Sequence, residues 1–285
     1  MSQKPLNKIG AHISIAGGIE NAPKRAFDAG CETFQCFTRP PQSFQAPIVS
    51  HETILVFKKA IEDAGMKSFY IHTPYIINLA SLKSGLRHTS RIIIRQELDR
   101  GSSLGATYVM THVGSHKDQS EKEGIEKVID SIDKLLDGYS GTTQLLIEIS
   151  AGSGAVIGDS FEEIGEMVKH LDGMPGFGGV CFDTCHAFAS GYDFRTREHT
   201  ETLLDKFDKS VGLKWLKLAH VNDSKFDFDQ KKDRHEHIGK GFIGLEGFRE
   251  LLGTEAFRNI DWILETEDDD RTNDLEALKK IRDGK

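Results

Sequence analysis

Gly179-Val180-Cys181-Phe182-Asp183 is a short apolar run that ends on a carboxylate, and an amphipathic stretch at residues 200–211 comes after it. A run that is apolar on both faces predicts a strand buried from both sides, as in a parallel sheet covered by helices. Working outward from it, the same pairing of strand and helix recurs: residues 9–15 with 21–29, 33–38 with 51–64, 68–73 with 89–104, 107–113 with 123–136, 145–149 with 160–170, 215–221 with 245–252, and 262–266 with 274–281. The helical stretches carry a stripe at 3.6-residue spacing; Ile125, Val128, Ile129, Ile132, Leu135 and Leu136 fall on one face. Gly30, Gly65, Gly105, Gly138, Gly173 and Gly212 stand at the ends of these stretches, where a left-handed residue closes a helix. Eight strand–helix pairs in 285 residues predict the α/β class and a closed (β/α)8 TIM barrel, in one domain spanning the chain. No GxGxxG follows the first strand, which argues against an open nucleotide-binding sheet, and no linker or low-complexity segment divides the chain.

The composition is that of a globular protein, 38% hydrophobic and 28% charged. No run approaches the ~20 apolar residues needed to span lipid. Met1 to Lys8 contains no apolar stretch resembling a secretory signal. The expectation is a cytoplasmic protein without a membrane partner, its Cys31, Cys36, Cys181 and Cys185 reduced and mostly buried. The formal charge of −8 argues at first against a nucleic-acid partner, because phosphate binding usually leaves a basic footprint. Three divalent ions held by the acidic residues would offset most of that charge and place positive charge where a phosphate would bind.

The chemistry lies at the strand ends, the face on which barrels of this kind carry their active sites. His12 lies near the end of the first predicted strand, His72 of the third, His112 of the fourth, Glu148 of the fifth, Asp183 of the sixth, His220 of the seventh and Glu265 of the eighth. His186 lies just beyond Asp183, and Asp233 and His235 occupy the loop after His220. A single histidine at a strand end is usually a hydrogen-bonded structural residue, and Asp233-Arg234-His235-Glu236-His237 taken alone is a solvated charge run. Seven of eight strands aiming such a residue at one face is a different matter, since burying those charges without counter-ions is very unfavourable. Imidazole with carboxylate is the ligand set for zinc, and also suits manganese or iron. The candidates exceed what one ion needs, so the site is expected to be multinuclear, with carboxylates such as Glu148 able to bridge two ions. Metal pairs ~3.5–4 Å apart are a recurring device for hydrolysing phosphate esters. No GxSxG elbow or Walker loop offers a competing chemistry.

Several motifs resemble the endonuclease IV family of apurinic/apyrimidinic (AP) endonucleases, in order from about residue 9 to residue 267. They are Gly10-Ala11-His12-Ile13-Ser14 with Gly17-Gly18, the run from Cys181 to Asp193, His220-Val221-Asn222-Asp223-Ser224-Lys225, Asp233-Arg234-His235 with Ile238-Gly239, and Leu264-Glu265-Thr266. The resemblance implies a xylose isomerase-like barrel holding three zinc ions. One would be held by His72, His112 and Glu148, a second by Glu148, Asp183, His220 and Glu265, and a third by His186, Asp233 and His235. It implies hydrolysis of the phosphodiester bond 5′ to an abasic site in double-stranded DNA, giving a 3′-hydroxyl and a 5′-deoxyribose phosphate. Glu265 and Glu148 would be the catalytic carboxylates, with Glu265 orienting or deprotonating the water. Tyr75 matches a DNA-wedging tyrosine, and His12 reads as a group behind the ligands or facing DNA. The family bends its substrate and flips the abasic nucleotide. The chain departs from the pattern at Gln42, where an arginine is common, and at Ile149, where a polar residue is usual. A monomer is compatible with this substrate. A metal-dependent sugar isomerase or epimerase on the same barrel is the alternative; it would have no use for the set of His186, Asp233 and His235. A non-catalytic zinc protein would favour closed four-ligand sites, often rich in cysteine, and this chain offers no such set.

Overall fold

The computed structural model describes residues 7–284, so most of the Met1–Lys8 stretch lies outside the described residues. In chain order the strands are β1 (Ile9–His12), β2 (Thr33–Cys36), β3 (Tyr70–His72), β4 (Tyr108–Thr111), β5 (Gln144–Glu148), β6 (Phe177–Asp183), β7 (Leu216–His220), the two-residue β8 (Asp223–Ser224) and β9 (His235–Glu236), and β10 (Asp261–Leu264). All but β8 and β9 close into one parallel barrel in the order β1-β10-β7-β6-β5-β4-β3-β2. The helices are α1 (Ala22–Asp28), α2 (His51–Asp63), α3 (Ser84–Leu104), α4 (Glu121–Leu136), α5 (Phe161–Leu171), α6 (Thr184–Ala189), α7 (Arg197–Ser210), α8 (Gly244–Leu252), α9 (Glu255–Arg258) and α10 (Arg271–Arg282). Among the described residues no helix is long and apolar enough to cross a membrane.

All eight expected pairs are present, most with bounds shifted by a residue or two. The larger corrections have physical causes. α3 starts at Ser84 and α7 at Arg197, because their first turns are polar and carry no apolar stripe. α6 follows β6 directly and is too short to show a period; all six of its residues are buried. The β8–β9 hairpin lies in what reads as a charged loop, its two short strands too brief to alternate visibly.

Side chains two apart in a strand point the same way, and this sets the height of the site. Tyr70, Met110, Leu146, Cys181, Leu218 and Ile263 form a compact apolar cluster inside the barrel. Two residues further along the same strands, or just past their ends, come His72, His112, Glu148, Asp183, His220 and Glu265. The inward layer is therefore a dry floor directly beneath the titratable groups. On β1 and β2 the corresponding floor positions are Gly10 and Thr33, which are register partners. A Cβ at Gly10 would lie 2.0 Å from the Thr33 carbonyl oxygen, so only glycine allows the two strands to close there.

The loop after β2 forms one wall above the site and is tied down from below. Arg39 is 1% exposed and pairs through Nε with Glu97, which is fully buried on α3. Arg39 Nη1 donates to the Phe44 carbonyl at 2.9 Å, and Arg100 Nη1 donates to Thr38 Oγ1 at 2.6 Å. Removing one partner of a buried pair strands the other charge, typically at a cost of about 3–5 kcal/mol. Glu97 would keep Arg100 Nη1 at 3.5 Å, so Arg39→Met should lower the free energy of unfolding by less than that, about 1–3 kcal/mol, in urea titrations. An unchanged denaturation midpoint would show that Glu97 does not depend on Arg39.

Candidate metal centre

The fold gathers the predicted site residues into three linked groups, in each of which the potential ligand atoms lie within 4.8 Å of one another. In the first, His72 Nε2 is 2.9 Å and His112 Nε2 3.5 Å from Glu148 Oε2. In the second, His220 Nδ1 is 2.8 Å from Glu148 Oε1, 3.3 Å from Glu265 Oε2 and 4.0 Å from Asp183 Oδ2. The third contains Asp183, His186 and His235. Asp233 Oδ1 sits against the same two imidazoles, 3.2 Å from His186 Nε2 and 3.4 Å from His235 Nε2. Glu148 belongs to the first two groups, each of its oxygens facing a different one, and Asp183 belongs to the second and third.

Local structure explains how each side chain is held. Asp183 is the N-cap of α6: its Oδ1 accepts from the His186 backbone N–H at 2.7 Å, fixing the spacing between two potential ligands. The segment leading to Asp233 folds over α6, with Asp229 N donating to Phe188 O at 3.2 Å and Lys231 N to Ala189 O at 3.0 Å. Asp229 and Lys231 both adopt left-handed φ, 60° and 54°, which turns the chain back toward the site. His72 Nδ1 and His186 Nδ1 face the carbonyl oxygens of Thr73 and Ile149, at 2.6 and 2.9 Å, so Nε2 of each ring turns toward the carboxylates.

The electrostatics are those of buried carboxylates and imidazoles that shift one another's titration. Burial is the largest influence on Glu148 and opposes its charge, yet His112, His220 and His72 outweigh it and hold the carboxyl well below its usual range. Glu265 is likewise penalised by burial but is pulled down to about 2, chiefly by His220. Desolvation opposes protonation of both His186 and His220, but Asp183, Asp233 and Glu148 push His186, and Cys181, Glu265 and Glu148 push His220, well above an ordinary imidazole. In His12 desolvation wins and lowers the pKa to about 3, so this ring is neutral at pH 7.

The donors fit bound metal. His186 Nε2 and His235 Nε2 are buried with no satisfactory hydrogen bond; the 3.2 Å approach of His186 Nε2 to Asp233 is close enough but badly directed. Two ligands about 2.1 Å from one tetrahedral ion lie about 3.4 Å apart, the range of separations found here. A fourth group, His237 with Asp270 and Asp274, is different in kind. Both ring nitrogens of His237 are already engaged, by Asp274 at 2.8 Å and Asp269 at 3.1 Å, so this group is an ion-paired strut between loops.

Above the centre opens a cleft of about 1070 Å³. Tyr75, 67% exposed, stands on its rim with its ring against Phe37, and His12 lines the wall. Gln42 lies exposed on the loop after β2. Lys225, Arg234 and Arg271 also line the cleft, together with Asp233, Glu265, Glu267 and Asp268, so its walls carry both signs of charge. Sequence reasoning assigned no role to Gln35 or Asn222. Gln35 is fully buried on β2, the one strand with no predicted titratable residue, and bonds to His12, His220 and Glu265. Asn222 donates to Asp183 Oδ2 at 2.7 Å and accepts from Glu265 N at 2.8 Å. An amide set between Phe34 and Cys36 in the β2 run was the available signal for Gln35.

Fold and site together define a xylose isomerase-like TIM barrel, and residues 23–284 match the family model of that description. Probable endonuclease 4 of Methanoculleus marisnigri is 37% identical over 276 residues, covering 96% of this chain and 98% of its own length. The crystal structure of endonuclease IV from Thermus thermophilus matches with a TM-score of 0.85 at 29% identity, over 98% of this chain and 100% of that one. A D-tagatose 3-epimerase-like protein matches with a TM-score of 0.74 at 18% identity over 97% of both chains, a likeness of fold alone. The chain belongs to the endonuclease IV family.

A metal ion binds deprotonated imidazole and carboxylate, so any ion taken up by these groups should compete with protons. Raised imidazole pKa values contribute stability that is complete below about 6.5 and is lost as pH rises through the elevated values of His186 and His220. Chelator-treated protein should therefore lose stability on the alkaline side, and zinc should restore it. At a free concentration one hundred times the dissociation constant the gain is about 2.7 kcal/mol, readable as a higher unfolding midpoint. No shift with zinc at pH 8 would contradict the assignment.

Proposed function

We propose that this chain is a zinc-dependent AP endonuclease of base excision repair. It would cut the phosphodiester bond on the 5′ side of an abasic site in duplex DNA and leave a 3′-hydroxyl and a 5′-deoxyribose phosphate. The observation that carries this reading is the linkage of three ligand groups through Glu148 and Asp183. In this reading His72, His112 and Glu148 hold one ion; Glu148, Asp183, His220 and Glu265 a second; and His186, Asp233 and His235 a third, with Asp183 at its edge. Bound there, zinc would neutralise the phosphoryl oxygens and leaving oxygen and make water a nucleophile near neutral pH. Manganese or iron suits the same nitrogen and oxygen ligands.

The chain's own groups do the positioning. Glu265 stays ionised at neutral pH and so can accept a hydrogen bond from the attacking water and orient it. Glu148 holds the first two groups at a fixed separation from its buried place on β5. Neutral His12 and exposed Tyr75 meet the DNA, the tyrosine ring stacking where the abasic nucleotide leaves the helix. With Gln42 in place of the arginine common in the family, the loop after β2 contributes no charge to that wedge. Residues 1–285 act as one catalytic domain, as a monomer in the cytoplasm. A sugar epimerase reading accounts for the barrel but leaves His186, Asp233 and His235 without a task.

A duplex carrying one tetrahydrofuran abasic analogue tests the reaction directly. The protein should make a single nick 5′ to the analogue, and a chelator should abolish it. Glu265→Gln should slow cleavage by at least about 100-fold while binding to the duplex changes little. Cleavage at the normal rate by this variant, or cleavage indifferent to chelation, would refute the mechanism. Tyr75→Ala should weaken binding to the abasic duplex by about 5-fold or more, the loss of one stacking platform, as read by fluorescence anisotropy. Unaltered affinity would remove Tyr75 from the interface.

A further inference from the structure

We infer that Gln35 is a positioning residue for the second ligand group, one carboxamide that sets both the ring nitrogen His220 presents and the oxygen Glu265 presents. The inference rests on the metal-centre reading above. It concerns a residue on β2, which contributes none of the grouped ligands.

Gln35 is fully buried, and each polar atom of its side chain is used. Nε2 lies 2.7 Å from Glu265 Oε1 and 3.0 Å from His12 Nδ1, and Oε1 lies 2.7 Å from His220 Nε2. The orientation of the amide follows from its neighbours. An ionised carboxylate only accepts, so the NH2 must face Glu265; reversing the amide would set two oxygens against each other. Oε1 then faces His220, and only a protonated Nε2 can donate to it. A neutral His220 ring with its proton on Nε2 has its lone pair on Nδ1, the atom directed at Glu148 and Glu265. The second N–H of the amide requires an acceptor, and His12 Nδ1 is that acceptor.

The same amide acts on Glu265. By engaging Oε1 it leaves Oε2 turned toward His220 and Asn222, 3.3 and 3.5 Å away, on the side where the other ligands of the group lie. Register makes this possible: His12 and Gln35 are partners across β1 and β2, so the amide enters the barrel at the height of the strand-end ligands. His72 and His186 are oriented by backbone carbonyls that any side chain would supply. His220 depends on a side chain, so its orientation is open to substitution.

Partners of this kind typically change metal affinity by about 10–100-fold when removed. Gln35→Met keeps the length of the side chain and removes the donor and the acceptor. Competition between the zinc-loaded protein and a chromophoric chelator should reveal one ion bound about 10–100-fold more weakly in the variant, the others unchanged. A general loss of packing would loosen all ions alike, which would overturn the inference. So would an unchanged affinity for every ion. Failure of the wild-type chain to take up any zinc would instead sink the metal reading on which the inference rests.

A second measurement needs no variant and covers the case in which Gln35→Met does not fold. In ¹⁵N-histidine-labelled, cadmium-loaded wild-type protein, the His220 ring should carry its proton on Nε2 and bind through Nδ1, visible as ¹⁵N–¹¹³Cd coupling at Nδ1. A ring bound through Nε2 with the proton on Nδ1 would overturn the role of Gln35.

Discussion

A carboxylate shut off from water cannot stay ionised unless cations surround it, and Glu148 is such a carboxylate. It sits fully buried at the end of β5 with imidazoles on both of its oxygens. The imidazoles of His72, His112 and His220 around it favour its ionised form, and the carboxylates in turn favour the charged form of His186. The rest of the centre is arranged around this residue: it joins two of the ligand groups, and the third is attached through Asp183.

The barrel makes that concentration of charge possible by keeping it off the apolar core. One layer down, Tyr70, Met110, Leu146, Cys181, Leu218 and Ile263 fill the interior and give the strand-end groups a buried apolar floor. One layer up, loops anchored elsewhere form the walls. The Arg39–Glu97 pair anchors the loop after β2 to α3, and the His237–Asp274 contact ties the β9 segment to the start of α10. Those anchors consume charged residues that would otherwise resemble ligands, which is why the fourth His/Asp group does not belong with the other three.

Much of this was legible in the sequence, for a simple geometric reason. In a parallel barrel, the last inward residue of each strand faces the site, so a histidine or carboxylate that ends an apolar run declares its place. His72, His112, Glu148, Asp183, His220 and Glu265 could be read in that way. His186, Asp233 and His235 stood out by their nearness to Asp183 and His220 and not by period, because they come from a six-residue helix, a loop and a two-residue strand; only the family motif grouped them as one ligand set. Gln35 and Asn222 escaped notice because a neutral amide is a poor ligand and draws no attention unless its neighbours are known. The buried Arg39–Glu97 pair joins residues 58 apart, and no local pattern signals it. The charge of −8 did not decide the partner, since it averages over a cleft lined by Lys225, Arg234 and Arg271 beside Asp233, Glu267 and Asp268.

The central claim is that cations hold these side chains together. Anomalous diffraction at the zinc edge, from crystals of protein purified without chelators, tests it most directly. The account predicts a peak on each side of the Glu148 carboxylate, one among His72, His112 and Glu148 and one among Glu148, Asp183, His220 and Glu265, with a third between His186, Asp233 and His235. A map without anomalous density, in which the same side chains are bridged only by hydrogen bonds and water, would contradict it.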